Sequence, residues 1–149
     1  MVTIRVTGGT RAQAAITRIV SRLKDFRPAY RTMARFLEGV LSDQFDSQGA
    51  RTGRQWAALS QKYSAWKAKK YPGKGLLERE GTLRRSLTSG SSIHAVREIG
   101  RKKFVFGTTV PYAPFHQEGG GNLPQRRLID PTTGDRKEMS EIIRRYLTR

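Results

Sequence analysis

Between Ile16 and Phe45 apolar side chains return every three or four residues, and the series breaks once, around Pro28. That period belongs to helices, and the break divides the stretch into two of them. The first carries Ile16, Ile19, Val20 and Leu23, with Thr10 as its cap and Phe26 continuing the stripe. The second starts where Pro28 can sit in a first turn, because the N–H it lacks would have no partner there. Tyr30, Met33, Ala34, Leu37, Val40, Leu41 and Phe45 then make a broad apolar face, and Gly49 ends it. Two amphipathic helices over roughly residues 10–48 need a surface to lie against, which the remaining sequence must supply.

Ahead of them, Val2, Ile4 and Val6 alternate with Thr3 and Arg5, a strand pattern closed by Thr7-Gly8-Gly9. After Gly53, Trp56 and Leu59, Ser60 is placed to cap a third helix that ends before Pro72-Gly73. Tyr63 and Trp66 lie one turn apart on it and are expected to cover the core. Residues 72–82 read as a flexible connector. The period then shortens: residues 91–98 alternate weakly, Lys103-Phe104-Val105-Phe106 is a strand, and Gly100-Arg101-Lys102 is the hairpin turn between them. Leu83 to Leu87 fits a strand or a short helical turn equally. Pro111 to Leu123 reads as a loop rich in aromatic residues and glycine, and Leu128-Ile129 as a short edge strand. Asp135 followed by Glu138 resembles a capping box that opens a last helix through Met139, Ile142, Ile143, Tyr146 and Leu147. The 149 residues fit one domain and show no internal repeat. The expected architecture is α+β: N-terminal helices packed on a small antiparallel β-sheet, with a C-terminal helix. The helical part covers about 10–71, the β-rich part about 83–130 and the closing helix about 135–148.

Charge narrows the partners. The chain has 29 Lys and Arg against 12 Asp and Glu, a net +17. No acid occurs between Asp46 and Glu78, where Arg51, Arg54, Lys62, Lys67, Lys69, Lys70 and Lys74 accumulate, and a second acid-free window runs from Arg101 to Gln117. Such a field attracts a polyanion or an acidic protein, with a strength that falls steeply as salt rises. Trp56, Tyr63, Trp66 and Tyr71 interleave with these cations, a pattern that also suits single-stranded nucleic acid. Met1 to Val6 lacks the apolar core of a signal peptide, and no run approaches the ~20 apolar residues of a membrane span. A soluble protein made in a cytoplasm is expected.

Reactive chemistry finds little support. There is no cysteine, so disulfides and thiolate nucleophiles are excluded. His94 and His116 are the only histidines, too few for a zinc site without carboxylates. Gly119-Gly120-Gly121 lacks the Lys-Ser/Thr of a phosphate-binding loop. A metal-dependent nuclease would need converging carboxylates. The candidates are Asp130 with Asp135, the latter better explained as a helix cap, and Glu78 with Glu80, which sit beside an arginine and a glycine turn. No catalytic, metal or cofactor residue is assigned.

One ordered series remains. Trp56-x-x-Leu59 is followed by a basic helix and by Gly81-x-Leu83-x-x-Ser86. A hairpin comes next, then Tyr112-Ala113-x-x-His116-Gln117-x-Gly119, then Pro124-x-Arg126-x-Leu128. The series, over about residues 30–149, resembles the phage virion morphogenesis (tail-completion) family of the protein S and Mu-like protein G types. The family usually has Thr before the glycine, where this chain has Glu80. The resemblance implies a structural virion protein that finishes the tail and joins it to the filled head, at the head–tail junction of particles assembled in the bacterial host cytoplasm. Related neck proteins act as rings, often sixfold. Its implied partners are further copies of itself, other neck and tail proteins, and the packaged DNA in the channel, with no membrane, small-molecule substrate or cofactor. The loop carrying Tyr112, Phe115, His116 and Gln117 would touch the next subunit or fold against its own sheet. Two other readings stand beside this one: a sequence-independent DNA-binding module and, behind it, a metal-dependent nuclease.

Overall fold

The computed structural model describes residues 9–149, so the strand expected at residues 1–6 lies outside the described residues. The elements run α1 (Gly9–Leu23), α2 (Arg27–Asp46), a 3₁₀ turn (Ala50–Thr52), α3 (Gln61–Lys70), α4 (Thr82–Thr88), β1 (Ala95–Ile99), β2 (Phe104–Thr108), α5 (Ala113–Glu118) and α6 (Thr133–Thr148). The class is α+β, with helices at both ends and one antiparallel hairpin.

Helix α2 is the axis. Pro28 occupies its first turn, and Ala29, Ala34, Val40, Leu41, Gln44 and Phe45 are buried along one side. At its far end the N–H of Gly49 donates to Gln44 O (2.9 Å), with Gly49 in the left-handed region at φ 89°. A Cβ there would stand 2.6 Å from Trp56 Cδ1 and 2.7 Å from Arg54 O, so this glycine is needed for space as well as for its angle. The chain then doubles back, Trp56 N donating to Gln48 O (2.8 Å), and the Trp56 ring meets Phe45 edge-on with centroids 5.4 Å apart. Around that pair Leu41, Leu83, Leu87, Val110, Ala113 and Leu128 close the core, with Leu76, Leu77 and Phe106 packed against it.

The hairpin pairs Ala95 with Thr108 through to Ile99 with Phe104, and Gly100 N donates to Lys103 O (2.8 Å) across its turn. The stretch left open between strand and helix, Leu83–Leu87, is α4. Its Ser86, fully buried, donates to Leu83 O (2.8 Å) and shares a hydrogen bond with Thr108 Oγ1 (2.7 Å). Arg97 ties α2, α4 and the sheet together. Its guanidinium reaches Glu38 Oε1 (3.1 Å), Gly107 O (3.0 Å) and Leu87 O (2.9 Å), and lies 3.7 Å from the centroid of Phe106.

Several expectations are corrected. The region 83–130 holds one hairpin flanked by two short helices. Pro111–Leu123 contains α5 instead of being loop throughout. Leu128-Ile129 is not a strand, because Gln117 takes the backbone bonds a neighbouring strand would make: its Oε1 accepts from Leu128 N (2.8 Å) and Ile129 N (2.9 Å), and its Nε2 donates to Ile129 O (3.0 Å). Residues 72–82 are anchored, with Gly75 O accepting from Lys67 and Glu78 held by Arg84. The cap of α6 lies three residues earlier than expected: Thr132 is the N-cap, Asp135 N donates to its hydroxyl (3.1 Å), and Asp135 Oδ2 accepts from Thr132 N (2.7 Å).

The largest difference concerns α1. None of its residues is buried, and Ile16, Ile19, Val20 and Leu23, the stripe expected to face a core, are all exposed. Thr10 lies inside the helix. Phe26 leaves the stripe to pack on Tyr30 and Tyr146, and Tyr30 in turn stacks on Phe104 at 5.4 Å. Among the described residues the helix is tied to α6 near its C-terminal end, where Arg22 Nη1 donates to Tyr146 O (2.9 Å) and caps the last carbonyls of α6.

Candidate functional site

The motif series, dispersed along the sequence, meets in one region. Trp56 Nε1 and Gln44 Nε2 both donate to Arg127 O (2.9 and 3.0 Å), locking the segment after Gly53 onto the segment after Pro124. Arg126 closes the same seam from the other side. Its Nε donates to Ala57 O (2.8 Å), its Nη2 to Ala58 O (3.1 Å), and its backbone N–H to His116 O (2.7 Å). Gly81 caps α4 at φ 78°, and Gly119 stands at φ 74° where a Cβ would come within 3.0 Å of Gln125 N. Leu83 and Ser86 belong to the core, and Gly119, Gly81 and Arg126 shape what lies above it.

What lies above it is a cleft of about 680 Å³. One wall is Leu59, Ser60, Tyr63 and Lys67, from α3 and its lead-in. The opposite walls are residues 77–82 and residues from Tyr112 to Arg126. Ser60 caps α3 as expected, accepting from Tyr63 N, and this places Tyr63 and Lys67, one turn apart, on the cleft side. Leu59 and Pro124 from the motif series line it as well. The cleft contains two buried cations: Lys67 is 5% exposed and Arg126 4%. Lys67 donates to Gly75 O, and burial, opposed by Glu78 and reinforced by Arg126 and Arg79, lowers its pKa. Burial also lowers that of Arg126. His116 Nδ1 is buried and has no hydrogen-bond partner among the described residues, and burial together with Arg126 holds the imidazole below its ordinary pKa, hence neutral at pH 7.

The expected basic surface divides. Arg54, Lys62, Lys69, Lys70 and Lys74 are exposed. Arg51 is not available, because its guanidinium forks onto Asp135 (2.7 and 3.0 Å). Lys67 belongs to the cleft. Tyr63 and Trp66 do not cover the core; they are 39% and 41% exposed and stack on each other at 5.3 Å. Tyr71 meets Trp66 edge-on, Lys70 Nζ lies 5.8 Å from the Trp66 centroid, and Arg79 lies 5.2 Å from that of Tyr71. Sequence reasoning missed Arg79, which stands directly after the carboxylate that ends the acid-free window. In the expected contact loop, Tyr112 and Phe115 are exposed, Phe115 at 61%, and His116 is half-buried. Gln117 is instead turned inward on Leu128 and Ile129.

The carboxylates weighed for a nuclease do not converge. Asp135 is held by Arg51 and Thr132, Glu78 by Arg84 (2.7 Å), and Asp130 lies 4.0 Å from Arg127. Among the described residues no three His, Asp or Glu side chains come together as a metal-binding group would require. Nor is any described helix long and apolar enough to cross a membrane.

No curated protein and no solved structure matches the chain. One family does, over residues 8–148, nearly the whole length and inclusive of every motif in the converging series. The chain belongs to the phage virion morphogenesis family.

Proposed function

We propose that this protein is a non-enzymatic tail-completion component that assembles as a ring at the head–tail junction of a tailed phage. Family membership gives it a role in building the virion. The observation that carries the finer reading is the amount of apolar surface the subunit leaves open. The whole stripe of α1 is uncovered, Ile16 at 62%, and Phe115 stands out on another element. A chain that forms a well-packed core yet leaves an amphipathic helix unpartnered is shaped for further contacts, and two dissimilar patches suit the head-to-tail contacts of a closed ring. Its neighbours would be other neck and tail proteins, and the exposed cations would face the packaged DNA without reading its sequence. Imaging of particles made without the protein tests the role: tails and filled heads that fail to join are expected, and fully joined, infectious virions would reject it.

A second reading has its own support. Tyr63 and Trp66, both exposed, with the half-buried Tyr71 beside them, are flanked by Lys62, Lys69, Lys70, Lys74 and Arg79 and combine stacking faces with phosphate-pairing charges. A sequence-independent DNA-binding module would bind single-stranded DNA through this patch. Its affinity should fall steeply between low and moderate salt, and a nearly flat salt dependence would argue against it.

A further inference from the structure

The cleft presents a physical problem that the assembly reading does not by itself solve. Lys67 and Arg126 are both buried, both line it, and neither has a carboxylate within 4.0 Å among the described residues. Glu78 also lines the cleft and favours the charged form of Lys67, but its carboxylate is engaged by Arg84 at 2.7 Å. Glu80, on the rim, is exposed. A buried charge that lacks a counter-charge is costly, and proteins ordinarily remove it by pairing or by substituting an apolar residue. Here the chain keeps two, both lining a cavity large enough to receive another molecule's side chains, and answers them with backbone carbonyls alone, Gly75 O for Lys67 and Ala57 O and Ala58 O for Arg126.

We infer that this cleft is a docking site for a segment of another virion protein in which an Asp or Glu is flanked by apolar residues, the carboxylate seating over Lys67 and Arg126. The walls set the rest of the specificity. Leu59, Tyr63, Leu77, Tyr112, Leu123 and Pro124 offer apolar and aromatic surface that a carboxylate alone would leave unfilled. The same walls disfavour duplex DNA, whose bases are already stacked on one another and whose phosphates are drawn to exposed cations such as Lys62, Lys69 and Lys70. A subunit at net +17 also draws an acidic partner more readily than a second basic copy. The inference deepens the assembly reading and rests on it for the partner's being a component of the particle.

The test uses the intact chain and Lys67→Met, which keeps the length of the side chain and removes its charge. A displayed library of random dodecamer peptides is selected on the wild-type protein. The expected result is enrichment of peptides with Asp or Glu between apolar residues, binding Lys67→Met at least about tenfold more weakly. Replacing their acid by Asn or Gln should have the same effect. Lys67→Met should melt within a few degrees of wild type, because loss of the bond to Gly75 O and relief of an unpaired buried charge act in opposite directions. Each of the following results would overturn the inference. One is a set of enriched peptides that lack acids or bind both proteins alike. Another is a Lys67→Met protein that melts far lower while binding the peptides unchanged, which would make the bond to Gly75 O the reason for the lysine. A third is displacement of the peptides from the wild type by short duplex DNA. Wild-type self-association that Lys67→Met abolishes would assign the cleft to a second copy and equally overturn the choice of partner. The selection needs no phage particle, so its failure is separable from a failure of the imaging experiment.

Discussion

At the scale of single residues the firmest interaction is the fork between Arg51 and Asp135. It joins the turn after α2 to the first turn of α6, two segments that no other ion pair among the described residues connects. Asp135 does two things at once: it caps α6 through Thr132 and it neutralises a partly buried guanidinium. Burial alone would raise its pKa. The hydrogen bonds from Arg51 and Thr132 outweigh that and hold the carboxyl below its ordinary range. A depressed folded-state pKa contributes stability that is present above the unfolded value of about 3.9 and is lost as pH falls through the folded value. Asp135→Asn should therefore destabilise the protein by about 2–4 kcal/mol at neutral pH, measured by urea unfolding. The gap between variant and wild type should stay constant down to about pH 5 and narrow in stronger acid. A gap that widened on acidification would refute the pairing.

At the scale of elements, α5 replaces a strand. Segment 128–129 has the β-branched and branched aliphatic residues that suit an edge position, yet its N–H groups are taken by one side chain. Gln117 can do this because α5 presents it side-on and because an amide offers an acceptor and a donor together. Gln117→Ala should cost about 1–3 kcal/mol, since Leu128 N loses its acceptor beside a buried side chain. Hydrogen exchange at Leu128 and Ile129 should accelerate by at least about tenfold, with the α2 amides changing only as far as global stability changes. Gln117→Glu keeps the acceptor and loses the donor to Ile129 O, so it should fall between the two. Unchanged exchange in Gln117→Ala would mean that water replaces the amide without loss.

At the scale of the whole molecule the question is what α1 is for. Its exposed stripe contributes nothing to the described core, so Ile16→Glu with Val20→Glu should change monomer stability by no more than about 0.5 kcal/mol. If the stripe meets a neighbouring copy, the double variant should remain monomeric at concentrations where wild type associates, as read by light scattering after size exclusion. Equal association states would remove α1 from the assembly surface. A large loss of monomer stability would mean that the stripe packs on its own chain.

The sequence by itself determined the local matters. The positions of α2, α3 and the hairpin follow from hydrophobic period, from Pro28, Ser60 and Gly49, and from the shorter alternation after residue 91, because caps, turns and periodicity depend on neighbours a few residues away. The family was legible for a related reason: its motif residues are those that space, backbone angle or a seam of hydrogen bonds requires, as Gly81, Gly119 and Arg126 illustrate. Tertiary structure alone decided which apolar faces are covered and which cations are free. Ile16, Tyr63 and Trp66 carry the same helical spacing as true core residues, and Lys67 and Arg51 look like their exposed neighbours. Spacing states that a helix has a face, whereas burial depends on whether another part of the chain arrives to cover it.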